Sequence, residues 1–543
     1  MSPRWTTVRC SRLWNTAETI DLNDMPYALG ARYVREKGCL AGTRESVIQD
    51  LCDVLNDPAE DAPRVCLLIG VAGSGKSAVA HSIARLYDGQ KRLGSSYCFA
   101  STDVARRNPQ NLFSTIARDL SGHDARYKSA LWGVVKDNRA LRGSTSPSEQ
   151  VEQFIIEPSK QLDAIGPLVI IIDALDESGD QGSRRQLLQA ISKQVAENTL
   201  PNNLRFLITA RPESDILAAL PSGSHLVHKR MGDIPEEIIE GDIKKFIHHS
   251  LHQYPELELS WPNEEWCRLL VRHSQRLFQW AATACNFVQG IGAIGLNPSK
   301  RLKILLQSDN RASVRPLDEL YRTILVQLFT FDDARRSFQE VMAVLLALKE
   351  PLPLTSLSTL FDSGSDEVNV RDIIKPMGSL LDGVLDEEKP IRPLHTSFRD
   401  FLLDETRSAA FHVRILPHLS LSLGRGLLAC MRDMLKFNIC DLKDSRLRNS
   451  AVPDLSDQVN KAIPPHLSYS CQYWMDHLQH VNCTPELLDE VTLFFKDFFA
   501  YWLEVISLLC LSSPLSPILS ALETCTILQT WAKVRSHMMI SSL

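Results

Sequence analysis

The chain has 543 residues, 44% of them hydrophobic and 23% charged, with a net charge of −6. That length predicts several domains at about 150 residues each, and so mild an acidity argues against a nucleic-acid-binding or membrane-surface protein. The 13 cysteines form no C-x-x-C pair and no ligand-spaced Cys/His cluster. This predicts a reduced, cytoplasmic protein in which Cys66 and Cys98 pack as small apolar residues.

Residues 1–38 are weakly patterned and show no apolar core of signal-peptide length. A turn at Cys39–Arg44 leads into an amphipathic segment, Glu45–Leu55, with Val47, Leu51, Val54 and Leu55 as its apolar positions. Val65–Ile69 then reads as a strand buried on both faces. It runs into Gly70-Val71-Ala72-Gly73-Ser74-Gly75-Lys76-Ser77, which fits G-x-x-x-x-G-K-[ST] at every fixed position. Glycines let such a loop turn several backbone N–H groups toward one anion. The helix predicted from about Lys76 to Leu86 aims its positive end at the same place. Gly70, Gly73, Ser74, Gly75, Lys76, Ser77 and Ala78 are therefore the expected phosphate contacts. Lys76 would reach the β- and γ-phosphates, and the Ser77 hydroxyl would ligate Mg²⁺.

Between Val65 and about Leu220, strand-like runs alternate with helical ones. Ser95–Ala100, Pro167–Leu175 and Leu204–Ala210 read as strands, and Asn111–Leu120 as a helix. Alternation of this kind builds a parallel sheet covered by helices, with ligands at the carboxyl ends of its strands. Val169–Ile172 deliver Asp173 to such an end, where it can hold Mg²⁺. Asp176 and Glu177 follow on the outgoing turn, and either can orient the attacking water, Glu177 being the first choice. "FLITARPE" puts Thr209 and Arg211 at the same edge. Arg211 would either contact a γ-phosphate or pair with Asp176 or Glu177.

From about Pro235 the pattern turns helical. Phe338–Leu348, Leu354–Leu360 and Val370–Leu381 read as short helices. Gly383–Leu394 reads as two strands around an acidic turn, before the helical "SFRDFLL". Three helices and a hairpin suggest a winged-helix-like unit, although Asp382, Asp386, Glu387 and Glu388 would repel nucleic-acid phosphate. Residues 405–543 look all-helical. Trp474, Trp502 and Trp531 recur at near-even spacing, for which core packing is a better account than a helical repeat. The uncharged stretch Val505–Leu522 contains Pro514 and Pro517 and reads as two buried helices rather than a membrane span. The expected organisation is an N-terminal segment (1–38), a nucleotide-binding domain (39–232), a helical domain (233–332), a winged-helix-like domain (333–404) and a C-terminal helical domain (405–543). The fold class is an α/β P-loop NTPase core followed by helical, winged-helix-like and all-α parts.

Taken together, "CLAGTRESVI", "GVAGSGKSAVAHSIA", "VIIIDALDE" and "RFLITARPES" resemble the successive motifs of NACHT domains in fungal NOD-like receptors, within the STAND class of signalling nucleotidases. The resemblance continues through "LFQWAATACNFV" (Leu277–Val288), "PLDELY" (Pro316–Tyr321) and "PLHTSFRDFLLD" (Pro393–Asp404), and more faintly through "LSYSCQYWMDHL" (Leu467–Leu478). It implies an innate-immunity type of signal transduction in which ADP holds a closed state and ATP opens it toward a homo-oligomer. It also implies that Gly42-Thr43-Arg44 lines the adenine side and that His395 touches the β-phosphate of ADP. A core histidine is the alternative for His395. Two features depart from the pattern: Arg276 stands where relatives have glycine before "LFQWAATA", and no effector or repeat domain is recognisable.

The leading expectation is thus a switch operated by ATP and ADP with Mg²⁺, hydrolysing slowly and serving an unknown protein signalling partner. A conventional small-molecule kinase or motor ATPase is one alternative, but no acceptor signature is visible. A nucleotide-binding scaffold without turnover is another, and the presence of Lys76, Asp173 and Glu177 leans against it. The chain lacks the N-K-x-D motif of guanine-specific proteins, so ATP is preferred over GTP.

Overall fold

A computed structural model describes residues 22–509 except 163–165, 253–262, 292–296, 308–314, 363–368, 444–448, 450–451, 479–480 and 482–483. The chain divides into two compact units. One comprises Met1–Cys285 with Asp309–Pro316, the other Asn286–Ser308 with Leu317–Leu543.

The first unit is built on a parallel sheet. In chain order its elements are α1 (Glu45–Asn56), β1 (Val65–Ile69), α2 (Lys76–Gly89), β2 (Leu93–Cys98), α3 (Leu112–His123), β3 (Leu168–Asp173), α4 (Gln181–Ala196), β4 (Leu204–Ala210) and β5 (Leu226–Arg230). Then come α5 (Glu236–His252), α6 (Glu264–Ser274) and α7 (Phe278–Gln289). The strand order is β2-β3-β4-β1-β5, every neighbour parallel. Strand residues alternate between the two faces. Leu67, Ile170, Ile172, Phe206 and Ile208 join a core with α3 and α4, while Cys66, Leu68, Val169, Ile171 and Leu207 join one with α1 and α2. Covering both faces is what lets β1 and β3 be apolar at consecutive positions. Burial pushes the Cys66 thiol up to about 12 and Cys98 higher still, so both act as small apolar residues.

Three findings differ from the sequence reading. Residues 22–38 are not a separate segment: Leu22, Met25, Ala28 and Ala31 enter the core, and Ala31 O accepts from Cys98 N at 2.8 Å. β5 was missed because "LVHKR" is short and half polar; it lies at an edge of the sheet, where one face and one side need no apolar cover. The helical stretch expected as a domain at 233–332 is shared between the two units.

The second unit is mainly helical. α8 (Asp332–Ala347), α9 (Leu354–Asp362) and α10 (Val370–Ile374) precede a two-stranded antiparallel ribbon of β6 (Leu381–Asp382) and β7 (Arg392–Pro393). α11 (Thr396–Leu403) follows, then α12 (Pro417–Met434) and α13 (Pro465–Leu478). The sequence predicts three helices, a hairpin and a following helix here, but the third helix ends at Ile374 rather than Leu381, and the first strand, Leu381–Asp382, takes residues expected to be helical and to precede the hairpin. Trp474 and Trp502 both pack on Phe494, as core packing requires. Trp531 and the prolines of the uncharged stretch lie outside the described residues. No helix among the described residues is long and apolar enough to cross a membrane.

Candidate functional site

The phosphate-loop motif occupies the turn between β1 and α2, and its glycines are structurally required. Gly73 and Gly75 have φ of 80° and 96°, a region costly for residues with a Cβ. A Cβ on Gly70 would stand 2.7 Å from Ser74 Oγ and 2.9 Å from Met231. Lys76 Nζ donates to Gly70 O (2.7 Å) and Val71 O (3.1 Å), so the lysine curls over the loop. Burial holds the Lys76 pKa below its ordinary value, and the nearby Asp176 and Asp173 oppose that shift. Ser77 is exposed on the first turn of α2, Ala78 is half-buried beside it, and Ser74 is buried with no hydrogen-bond partner for its Oγ.

The strand register brings the second half of the site to the same edge. Ile172 pairs with Ile208, which sets Asp173 level with Thr209. Thr209 Oγ1 donates to Asp173 Oδ1 at 2.6 Å and accepts from Ala174 N at 2.9 Å. Asp173 is 4% exposed. Ala174 takes φ of 56°, an unusual conformation for alanine that swings the chain into the turn carrying Asp176 and Glu177. Both oxygens of Asp176 face Arg211: Oδ1 accepts its backbone N–H and Oδ2 its Nε, each at 3.0 Å. Of the two alternatives for Arg211, the ion pair is therefore present. Asp176 is committed to it, while Glu177 Oε2 accepts from Ser101 N at 3.0 Å. A serine hydroxyl and a carboxylate, Ser77 and Asp173, are the donor chemistry that suits Mg²⁺. Thr209 takes one Asp173 oxygen and leaves Oδ2 for a cation.

Thr43 and Arg44 lie beneath the loop. Thr43 Oγ1 donates to Leu40 O (2.7 Å), closing its own turn. Arg44, 3% exposed, donates from its backbone to Asp242 Oδ2 (2.9 Å) and from Nη2 to Ser74 O (2.9 Å). Its guanidinium stacks 4.5 Å from the centre of the Phe278 ring. Next to Phe278, the backbone N–H of Gln279 donates to Gly73 O at 3.1 Å. Gln275 and Arg276, between α6 and α7, have φ of 45° and 67°. That explains why a glycine suits this position, and Arg276 holds the turn through Glu236 and Glu240. Sequence reasoning missed Phe278, Gln279 and Asp242 as neighbours of the loop. Only the motif-like "LFQWAATA" pointed near them.

His395 belongs to the second unit, where its Nδ1 accepts from Ser397 N (3.1 Å) as the N-cap of α11. Ser397 Oγ also lies 2.7 Å from Tyr321 Oη.

His81, Cys98 and Asp173 each bring a donor atom within 4.8 Å of the others, all buried. The trio does not suit a soft metal. Val34 N–H donates to His81 Nδ1 (3.1 Å), so the neutral ring keeps its proton on Nε2, and neither nitrogen is left with a spare lone pair.

Residues 42–211 match the family model described as the N-terminal region of nephrocystin 3. This stretch is less than half of the chain, yet it runs from the turn under the loop through Lys76 and Asp173 to Arg211. One solved structure similar to the chain is a signal transduction ATPase with numerous domains (STAND) carrying a tetratricopeptide repeat sensor, from Pyrococcus horikoshii. It shares 12% identity at a TM-score of 0.38, over 88% of this chain and 58% of that one. No curated protein matches the chain.

Proposed function

We propose that the chain is a nucleotide-operated signalling switch of the NACHT kind. ADP holds it closed, and exchange for ATP opens it toward a homo-oligomer. Mg²⁺-dependent hydrolysis, with ATP preferred over GTP, returns it slowly. The observation that carries nucleotide binding is the convergence at one sheet edge. A glycine-shaped loop with an inward lysine, after β1, and a buried aspartate that Thr209 orients, at the end of β3, share one edge of the sheet with β4 between them. The family match over residues 42–211 supports the same reading.

In this reading the loop N–H groups and Lys76 bind the β- and γ-phosphates, and the N-terminus of α2 adds its dipole. Ser77 and Asp173 would hold Mg²⁺, which neutralises phosphate charge when bound. Glu177 orients the water. Arg211 keeps Asp176 from competing for it, and Thr43, Arg44 and His395 are the chain's further links to the nucleotide state. A ligand drives such a switch only through unequal affinity for its two states.

The test is to purify the chain, denature it, identify the released nucleotide by chromatography and measure the native size by light scattering. A monomer carrying stoichiometric ADP is expected. Lys76→Ala should release the nucleotide altogether. Each lost charge-assisted hydrogen bond is worth about 1.5–3 kcal/mol, so affinity should fall by about 100-fold or more. Unchanged nucleotide content in that variant would refute the phosphate-loop assignment. Rapid ATP turnover that depends on an added small-molecule acceptor would favour a kinase instead.

A further inference from the structure

Within the nucleotide-binding reading, one residue stands out for what it does not do. Arg44 is buried, yet its Nε and Nη1 have no hydrogen-bond partner. A leucine in that place would cost nothing of this kind, since unmatched buried donors destabilise the fold. Something must be obtained through the group that is matched, Nη2.

That group holds Ser74 O. A peptide unit is planar and trans, so its C=O and the following N–H point in opposite directions. Pulling Ser74 O down toward Arg44 therefore turns the Gly75 N–H up, into the loop. The same logic holds one peptide earlier. Gln279 N–H takes Gly73 O, which fixes that peptide and with it the Ser74 N–H, which donates to Val71 O at 3.3 Å and holds the turn of the loop. The two donors are mechanically joined, because the Phe278 ring on which Arg44 stacks is the residue before Gln279. A flat guanidinium can lie on a ring and donate sideways at once, which an ammonium cannot.

We propose that Arg44 and the first turn of α7 form a two-point clamp that sets the phosphate loop in its anion-binding shape, making Arg44 a positioning residue for phosphate rather than a contact for the base. The loop's affinity then depends on where α7 begins, and the left-handed Gln275–Arg276 turn fixes that point. Any movement of α7 loosens the phosphates through Gly73 O and Ser74 O, without touching the nucleotide.

The experiment compares ADP with inorganic pyrophosphate, each titrated by calorimetry into the full chain freed of nucleotide. Melting temperature serves as the folding control. Arg44→Lys should weaken both ligands about tenfold and leave their ratio unchanged. Phe278→Ala, the second variant should Arg44→Lys unfold, should weaken both by a similar common factor. The double variant should be little worse than either alone, because each breaks the same clamp. Weakened ADP with unchanged pyrophosphate would assign Arg44 to the base and overturn the clamp. So would two unchanged affinities, which would leave Arg44 with no bearing on the loop, or fully additive losses. A wild-type chain that binds neither ligand would instead remove the nucleotide reading itself, and the clamp with it.

Discussion

The carboxyl edge of the sheet and the helical core of the second unit bury polar groups in opposite ways. Around Tyr469 most buried polar groups pair with one another, although Trp474 Nε1 on the same helix has no partner. Its hydroxyl accepts from Lys349 N at 2.9 Å and lies 2.8 Å from His477 Nε2, which it serves as donor. Elsewhere in the same unit, Arg407 grips Asp318 through two nitrogens, at 2.9 and 2.7 Å. At the sheet edge, Lys76 spends its charge on two carbonyls, Ser74 Oγ and two nitrogens of Arg44 have no partner, and Ala174 sits at φ of 56°. Polar groups that close on themselves specify a fold. Charges and strain left open mark a place shaped for something that is not the protein.

The sharpest way to break this contrast is Glu177→Gln. If the edge is built for chemistry, hydrolysis should slow by about 10²–10⁴, the usual worth of a positioned base, while nucleotide stays bound. Single-turnover phosphate release measures it, and an unaltered rate would remove Glu177 from catalysis. No such rate effect is expected from a change at Tyr469 or Arg407.

Arg211→Ala sharpens the comparison from the other side. The Asp176 side chain is 7% exposed and that of Arg211 is 23% exposed, so this one pair at the edge resembles the closed pairs of the second unit. Removing its side chain leaves the buried carboxylate with only the backbone N–H of residue 211 and the nearby Lys76 charge, at a cost of about 3 kcal/mol, the low end for a broken buried pair. The melting temperature should fall, and Asp176→Asn in the same chain should restore much of it. A variant that keeps its stability but loses the preference for triphosphate over diphosphate would make Arg211 a γ-phosphate ligand.

How much of this was readable beforehand follows from range along the chain. β1, the loop and β4 could be bounded almost to the residue because their signals are local: an apolar run, obligatory glycines, a lysine. Asp173 was legible for the same reason. The partner of Arg211 remained open, since the contact between residues 176 and 211, which lie beyond the paired strand residues, is a tertiary fact. Arg44 was assigned to the adenine side by resemblance, and nothing in "GTRES" says that its guanidinium would lie under Ser74 and against Phe278, more than two hundred residues away. The N-terminal residues were underread because Leu22, Met25, Ala28 and Ala31 recur every third residue, a spacing that matches neither the helical period of 3.6 nor the strand period of two, and two of the four are only alanines.

The smallest expected effect concerns the closed region. Burial, with Lys349 adding to it, lowers the His477 pKa to about 4. The folded value thus lies below that of the unfolded chain, near 6.5. As pH falls from about 6.5 toward 4, the unfolded state takes up a proton that the folded state refuses, so stability declines with acidity across that window. A shift of this size corresponds to about 3 kcal/mol by pH 4. Carboxylates elsewhere titrate over part of the same range, so the informative quantity is a difference. Urea unfolding of the second unit, followed by tryptophan fluorescence, should show a shallower loss between pH 6.5 and 4.5 in His477→Gln than in the wild type. Its stability at pH 7.5 should be little changed, because glutamine still offers Tyr469 an acceptor. Parallel pH profiles would mean that His477 is protonated in the folded chain, and that this region is no more closed than the sheet edge it is set against.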